Sequence, residues 1–179
     1  MKKPAVNACH FPTAIGEMAV AWRAERVVGV FLPETSERKL LASVRKRLRA
    51  SKLTWSLAPP THVGHMAAQI RAHLRGESQD FDLSQLEMPK RGPFMSKVIK
   101  CLLNVTSGTV LTYAELAAKA GSPKAFRAVG QAMARNPFPI VIPCHRVVGA
   151  SKNVGGFSAH GGLATKARIL KIEAHDDQA

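Results

Sequence analysis

At 179 residues with 46% hydrophobic side chains, the chain is long enough for one large domain or two small ones, each with its own core. No apolar run approaches the roughly 20 residues that a bilayer-crossing helix needs, which argues against a helical membrane protein. A net charge of +14 speaks of an anionic partner rather than of a fold. Met1-Lys2-Lys3-Pro4-Ala5 is followed by no apolar signal-peptide core. The three cysteines, Cys9, Cys101 and Cys144, are widely spaced and suit a reducing compartment better than a disulfide framework. The expectation is a soluble, cytoplasmic protein.

In chain order, Ile15 to Leu32 reads as a hairpin: Met18, Val20 and Trp22 alternate, and a β-branched run from Val27 ends at Pro33. Glu34 to Leu53 is basic and amphipathic, with Leu40, Leu41, Val44 and Leu48 at helical spacing, and is expected to cover one sheet face. Thr61 to Leu74 forms a second helical stripe, and Phe81-Asp82-Leu83 suggests a short strand. The turn formers of Met88 to Pro93 make the best linker, dividing residues 1–88 from residues 92–175.

The second half is mostly helical. Phe94, Val98, Cys101 and Leu102 give an apolar helix face ending near Gly108. Thr112-Tyr113-Ala114-Glu115 is a capping box that opens a helix through Ala120. Ser122-Pro123 predicts another cap, with a helix running to about Arg135. Two short helices about a Gly-Ser turn make a helix-turn-helix pattern. The second displays Ala125, Ala128, Val129, Gly130 and Ala132 around Arg127. That small-residue face suits either close approach to a narrow groove or packing in a crowded interior. From Phe94 to Arg168 a single acid, Glu115, stands against ten Lys or Arg. This is either a phosphate-binding surface or a solvated basic face.

The reactive chemistry points to Pro143-Cys144-His145-Arg146-Val147, behind the apolar, strand-like run Pro139 to Ile142. The thiolate is the nucleophilic form of cysteine, and neighbouring cations or a base make it accessible at neutral pH. Side chains adjacent along a strand point to opposite faces, so the chain must turn here or a water must relay a proton between Cys144 and His145. Cys9-His10 is a weaker echo of the same pair near the terminus, and Cys101 reads as an inert core thiol. His62, His65 and His73 occur without an accompanying cysteine or carboxylate constellation, and no metal site is expected.

Arg127-Ala128-Val129-Gly130, Asn136-Pro137 and Ile142 to Val148 together resemble the O6-alkylguanine-DNA alkyltransferase family, also called methylated-DNA–protein-cysteine methyltransferases. The resemblance continues through Thr112 to Ala117, Gly155-Gly156-Phe157-Ser158, Gly161-Gly162-Leu163 and Lys166 to Glu173. It is weaker in the first half, at Thr13-Ala14-Ile15-Gly16 and the hairpin. It implies an α/β plus α fold: a small ribonuclease-H-like α/β N-terminal domain and a helical C-terminal domain with a winged-helix-like helix-turn-helix. It also implies stoichiometric repair of O6-alkylguanine, and of O4-alkylthymine, in double-stranded DNA by a monomer without cofactor.

By this resemblance Cys144 is the alkyl acceptor, His145 a base acting through water, and Glu173 its orienting carboxylate. Tyr113 is the donor to the departing guanine, and Asn136 the brace of the active-site turn. Arg127 fills the gap left by a flipped nucleotide, while Ala128 and Gly130 belong to the minor-groove helix. Val147, Phe157 and Ser158 lie about the base pocket, with Phe157 standing where some members carry tyrosine. The rival expectation within the same resemblance is a non-catalytic protein that binds alkylated bases and recruits other repair factors. A helix-turn-helix transcription regulator is a further alternative, but it would have no use for the Cys-His-Glu set.

Overall fold

The computed structural model describes residues 5–150 and 160–176, and the chain separates into two compact units, Met1–Met88 and Pro89–Ala179.

In the N-terminal unit, strands β1 (Val6–Thr13), β2 (Gly16–Arg23) and β3 (Arg26–Phe31) form an antiparallel meander, and β4 (Leu53–Trp55) adds parallel to β1. The sheet order is β3-β2-β1-β4. The expected hairpin is therefore the second half of a longer meander, and Cys9-His10 lies in strand β1 rather than at a frayed end. The β1–β2 turn explains its residues. Gly16 has φ +124°, and a Cβ there would stand 3.0 Å from the Cβ of Pro33, so glycine is required. The Thr13 hydroxyl donates to the Gly16 carbonyl at 2.6 Å.

Helix α1 (Glu37–Leu48) starts where Ser36 accepts from the Lys39 amide at 3.3 Å, and it ends at Arg49 in the left-handed region. It is shorter at both ends than the amphipathic stretch suggested. Leu40 and Val44 close a core against Val6, Ala8, Ala19, Ala21, Val28 and Phe31. Burying a side chain of the size of Leu40 or Val44 stabilises the fold by roughly 1.5–3 kcal/mol. Helix α2 (Thr61–His73) buries Val63, Met66, Ala67 and Ile70. His73 is buried too, its ring edge-on to Phe81. Phe81 to Leu83 is no strand: Asp82 accepts from the Ser84 amide at 2.9 Å, which starts a 3-10 turn at Leu83–Gln85.

The C-terminal unit opens with α3 (Pro93–Leu103), which carries proline in its first turn and buries Val98, Ile99 and Leu102. It stops at Asn104, before the expected Gly108. Strand β5 (Leu111–Thr112) runs into α4 (Tyr113–Lys119), and both halves of the Thr112–Glu115 capping box form. A 3-10 turn at Pro123–Ala125 then leads to α5 (Phe126–Ala134). Ser122 caps through its carbonyl, which accepts from Ala125, and not through its side chain. Strand β6 (Val147–Val148) pairs parallel with β5, and α6 (Gly162–Asp176) follows. Lys166, Ile169 and Glu173, at spacings of three and four, are all buried along one stripe of α6. No helix among the described residues is long and apolar enough to cross a membrane.

Candidate active site

Cys144 sits at the start of a 3-10 turn, Cys144–Arg146, and is 8% exposed. The preceding run Pro139–Ile142 is buried as expected, but it forms turns and not a strand. Asn136 accounts for this. Its Nδ2 donates to the Ile142 carbonyl at 2.8 Å, while its Oδ1 accepts from the Phe138 amide at 3.0 Å. The Ile142 amide also donates to the Phe138 carbonyl at 2.8 Å, and Ile140 is held at φ +73°, an uncommon conformation for a β-branched residue. One buried amide side chain thus folds an apolar segment into a compact loop. The loop delivers Cys144, whose amide donates to the Ile142 carbonyl at 2.7 Å.

His145 and Glu173 are each 1% exposed, and His145 Nε2 lies 2.9 Å from Glu173 Oε1. A carboxylate only accepts, so Nε2 carries the hydrogen of the neutral ring and Nδ1 keeps the lone pair a base needs. Glu173 is also clamped by Arg146: Nε donates at 3.2 and 3.0 Å to its two oxygens, and Nη2 at 2.7 Å to Oε1. Arg146 Nη1 donates to the Val105 carbonyl. Removing one member of such a buried charge cluster leaves another uncompensated. Arg146 belongs to the motif read from the sequence, but nothing in the sequence showed that it shares Glu173 with His145.

Lys166 was missed as an individual residue. It is 0% exposed, and its Nζ donates to the Val147 carbonyl at 2.6 Å. Burial pulls the ammonium below the usual lysine value, partly opposed by the charge of Cys144. The available signal was its position seven residues before Glu173 on one helical stripe.

Tyr113, the first residue of α4, is half-buried, and its phenol is pushed up by burial and secondarily by the Cys144 charge. A Cβ on Gly130 would stand 3.8 Å from the Tyr113 ring, which places α5 beside that ring. On α5, Arg127 and Ala128 are exposed, whereas Val129, expected on the same small face, is buried. Phe126, unremarked in the sequence, is 44% exposed, and the Arg127 guanidinium lies 5.9 Å from its ring centroid. Phe157 and Ser158 lie outside the described residues. Cys101 is half-buried and lines a separate cleft of about 360 Å3 with Asn104, Thr109 and Lys119, and is not the core thiol expected.

A buried thiol on a braced turn, beside a histidine held by a carboxylate, is an arrangement suited to nucleophilic chemistry at the sulfur. Comparison with known proteins agrees. Residues 93–175 match the family profile described as 6-O-methylguanine DNA methyltransferase, DNA binding domain. The methylated-DNA–protein-cysteine methyltransferase of Methanothermobacter thermautotrophicus is 34% identical over 88% of this chain and 79% of its own length. The constitutive enzyme of that name from Bacillus subtilis is 35% identical over 90% of this chain and 91% of its own. Among solved structures, Mycobacterium tuberculosis OGT in complex with DNA superposes with a TM-score of 0.75 at 28% identity, covering 95% of this chain and 94% of that one. The chain belongs to the methylated-DNA–protein-cysteine methyltransferase family.

Proposed function

We propose that this chain repairs double-stranded DNA directly, moving an alkyl group from O6-alkylguanine, and from O4-alkylthymine, onto Cys144. The observation that carries the reading is Cys144 on its 3-10 turn, followed by a histidine whose imidazole is held by a buried carboxylate. His145, through a water, takes the thiol proton. The thiolate attacks the alkyl carbon, a sulfur–carbon bond forms as the carbon–O6 bond breaks, and Tyr113 supplies a hydrogen bond or proton to the departing base. The product is a thioether with no route back, so one monomer accepts one group.

An alkylated oxygen inside a paired duplex cannot meet a protein thiolate, so the nucleotide must leave the stack. Arg127, exposed near the start of α5, is assigned to the gap it leaves. Ala128 and Gly130 permit close approach to the minor groove, and Val147, Phe157 and Ser158 are assigned to the base pocket. We read the two units as two domains. The three-stranded meander with a parallel fourth strand fits a ribonuclease-H-like topology, and α4, α5 and the β5–β6 pair fit a winged-helix-like DNA-binding unit.

The test is the intact mass of the protein after incubation with duplex containing O6-methylguanine, followed by peptide mapping. A gain of one methyl group on Cys144 is expected, and an unmodified protein would refute the reading. The rival, a non-catalytic recruiter of repair factors, predicts binding to the lesion with no mass change. Arg127→Ala should slow repair in duplex while leaving reaction with a free alkylguanine base intact. Equal losses on both substrates contradict the flipping role.

A further inference from the structure

The N-terminal unit carries a cationic surface that the repair chemistry does not use. At 100° per residue, Arg38, Lys39, Arg45, Lys46 and Arg49 fall on one face of α1 and its cap, around the small side chain of Ala42. All six are exposed, opposite the buried Leu40 and Val44. The stripe is roughly 16 Å long. Glu37, the acid of this helix, lies off the stripe with its carboxylate 3.7 Å from His10.

Two observations set this face apart from an ordinary solvated one. Several other arginines of the unit are engaged: Arg23 with Glu87, Arg26 with the Leu86 carbonyl, Arg71 over the Phe11 ring and Arg75 with Glu77. None of the ion pairs described in the structure involves the five cations of the stripe. Moreover, Arg38 and Lys39 occupy the first turn, where the helix macrodipole disfavours positive charge. Helix stability alone would place cations only at the other end.

We propose that this face of α1 is a second DNA-binding surface, gripping duplex phosphates independently of sequence. Duplex DNA presents one negative charge per about 1.7 Å of axis, so a stripe of this length faces a dense row of them. A membrane surface fits poorly, because the apolar face that would enter lipid is already buried on the sheet. The inference rests on DNA being the partner, but not on alkyl transfer.

The test uses the full chain and undamaged duplex. The variant Arg38→Gln, Lys39→Gln, Arg45→Gln, Lys46→Gln should lower the slope of log K against log salt by about 0.9 for each phosphate no longer neutralised, or roughly 2–4 in total. Its reaction with a free alkylated guanine base should equal that of the parent, which reports an intact fold and site. In the unmodified protein, saturating duplex should shield Lys39 and Lys46 from acetylation, read by mass spectrometry. An unchanged slope, or lysines as reactive with DNA as without, overturns the proposal. So does protection by phosphatidylserine vesicles but not by duplex. Protected lysines in a protein that accepts no alkyl group would instead sink the repair reading and leave this one standing.

Discussion

Cys9-His10 and Cys144-His145 are the same dipeptide in two backbones, and the backbone decides what each can do. In strand β1 the two side chains point to opposite sheet faces. Cys9 is buried, and its thiol is pushed up chiefly by that burial. His10 stacks on Trp55 with ring centroids 5.2 Å apart and places Nδ1 2.5 Å from Glu17. Thiol and imidazole are thereby committed to separate neighbourhoods. On the 3-10 turn the chain bends after Pro143, the imidazole is locked by Glu173, and the thiol lies close enough for its charge to act on Tyr113 and Lys166. The activation proposed for Cys144 rests on the turn and its partners, not on the pair of residue types.

The sharpest way to break this contrast is at the sulfur atoms. Cys144→Ala should abolish alkyl uptake completely, while Cys9→Ala leaves uptake unchanged and costs about 1 kcal/mol of stability. Intact mass after exposure to methylated duplex distinguishes them, and any alkyl group found on Cys9 would erase the distinction. Next comes Glu173→Gln, which removes the charge shared by His145 and Arg146. We expect a loss of about 3–5 kcal/mol and a large fall in transfer rate. The counterpart Glu17→Gln beside His10 should leave the rate alone.

Asn136→Ala tests whether the turn itself matters. It deletes two buried hydrogen bonds, and a stability loss of about 2 kcal/mol with slower transfer is expected. A variant that melts earlier yet reacts at the parental rate would show the brace to be dispensable for chemistry.

The smallest effect is spectroscopic. Tyr113 is the sole tyrosine, so phenolate absorbance titrates it alone. Its midpoint should lie above the ordinary value of about 10. The folded protein holds this proton more tightly than the unfolded chain. The associated stability is therefore fully present below about pH 10 and fades as pH rises through the raised folded value. Cys144→Ala should bring the midpoint partly back down, whereas Cys9→Ala should not move it.

Local rules made much of this legible. Thr112 and Glu115 satisfy each other over three residues, so the start of α4 could be read directly, as could the stripes of α1 and α2. The site was legible through resemblance and one geometric constraint, that an extended chain separates Cys144 from His145. What stayed hidden depends on distant partners. Pro139–Ile142 has strand-like residues, and the buried Asn136 amide, with the Ile142–Phe138 backbone bond, overrides that preference. Strand β1 contains Asn7 and Pro12, which weaken its own signal, and it gains its place by pairing with β2 and β4. Lys166 looks like any helical lysine until its nitrogen is found on the Val147 carbonyl.

Ile140, held at φ +73° within the loop that ends at Cys144, has a consequence for how the protein comes to be active. A left-handed β-branched residue is disfavoured in isolation, so the surrounding core must impose the conformation. The surroundings of Cys144, the proposed nucleophile, should therefore assemble late in folding. A newly made or partly unfolded chain would carry only an ordinary thiol, and reactivity would arrive with the finished fold.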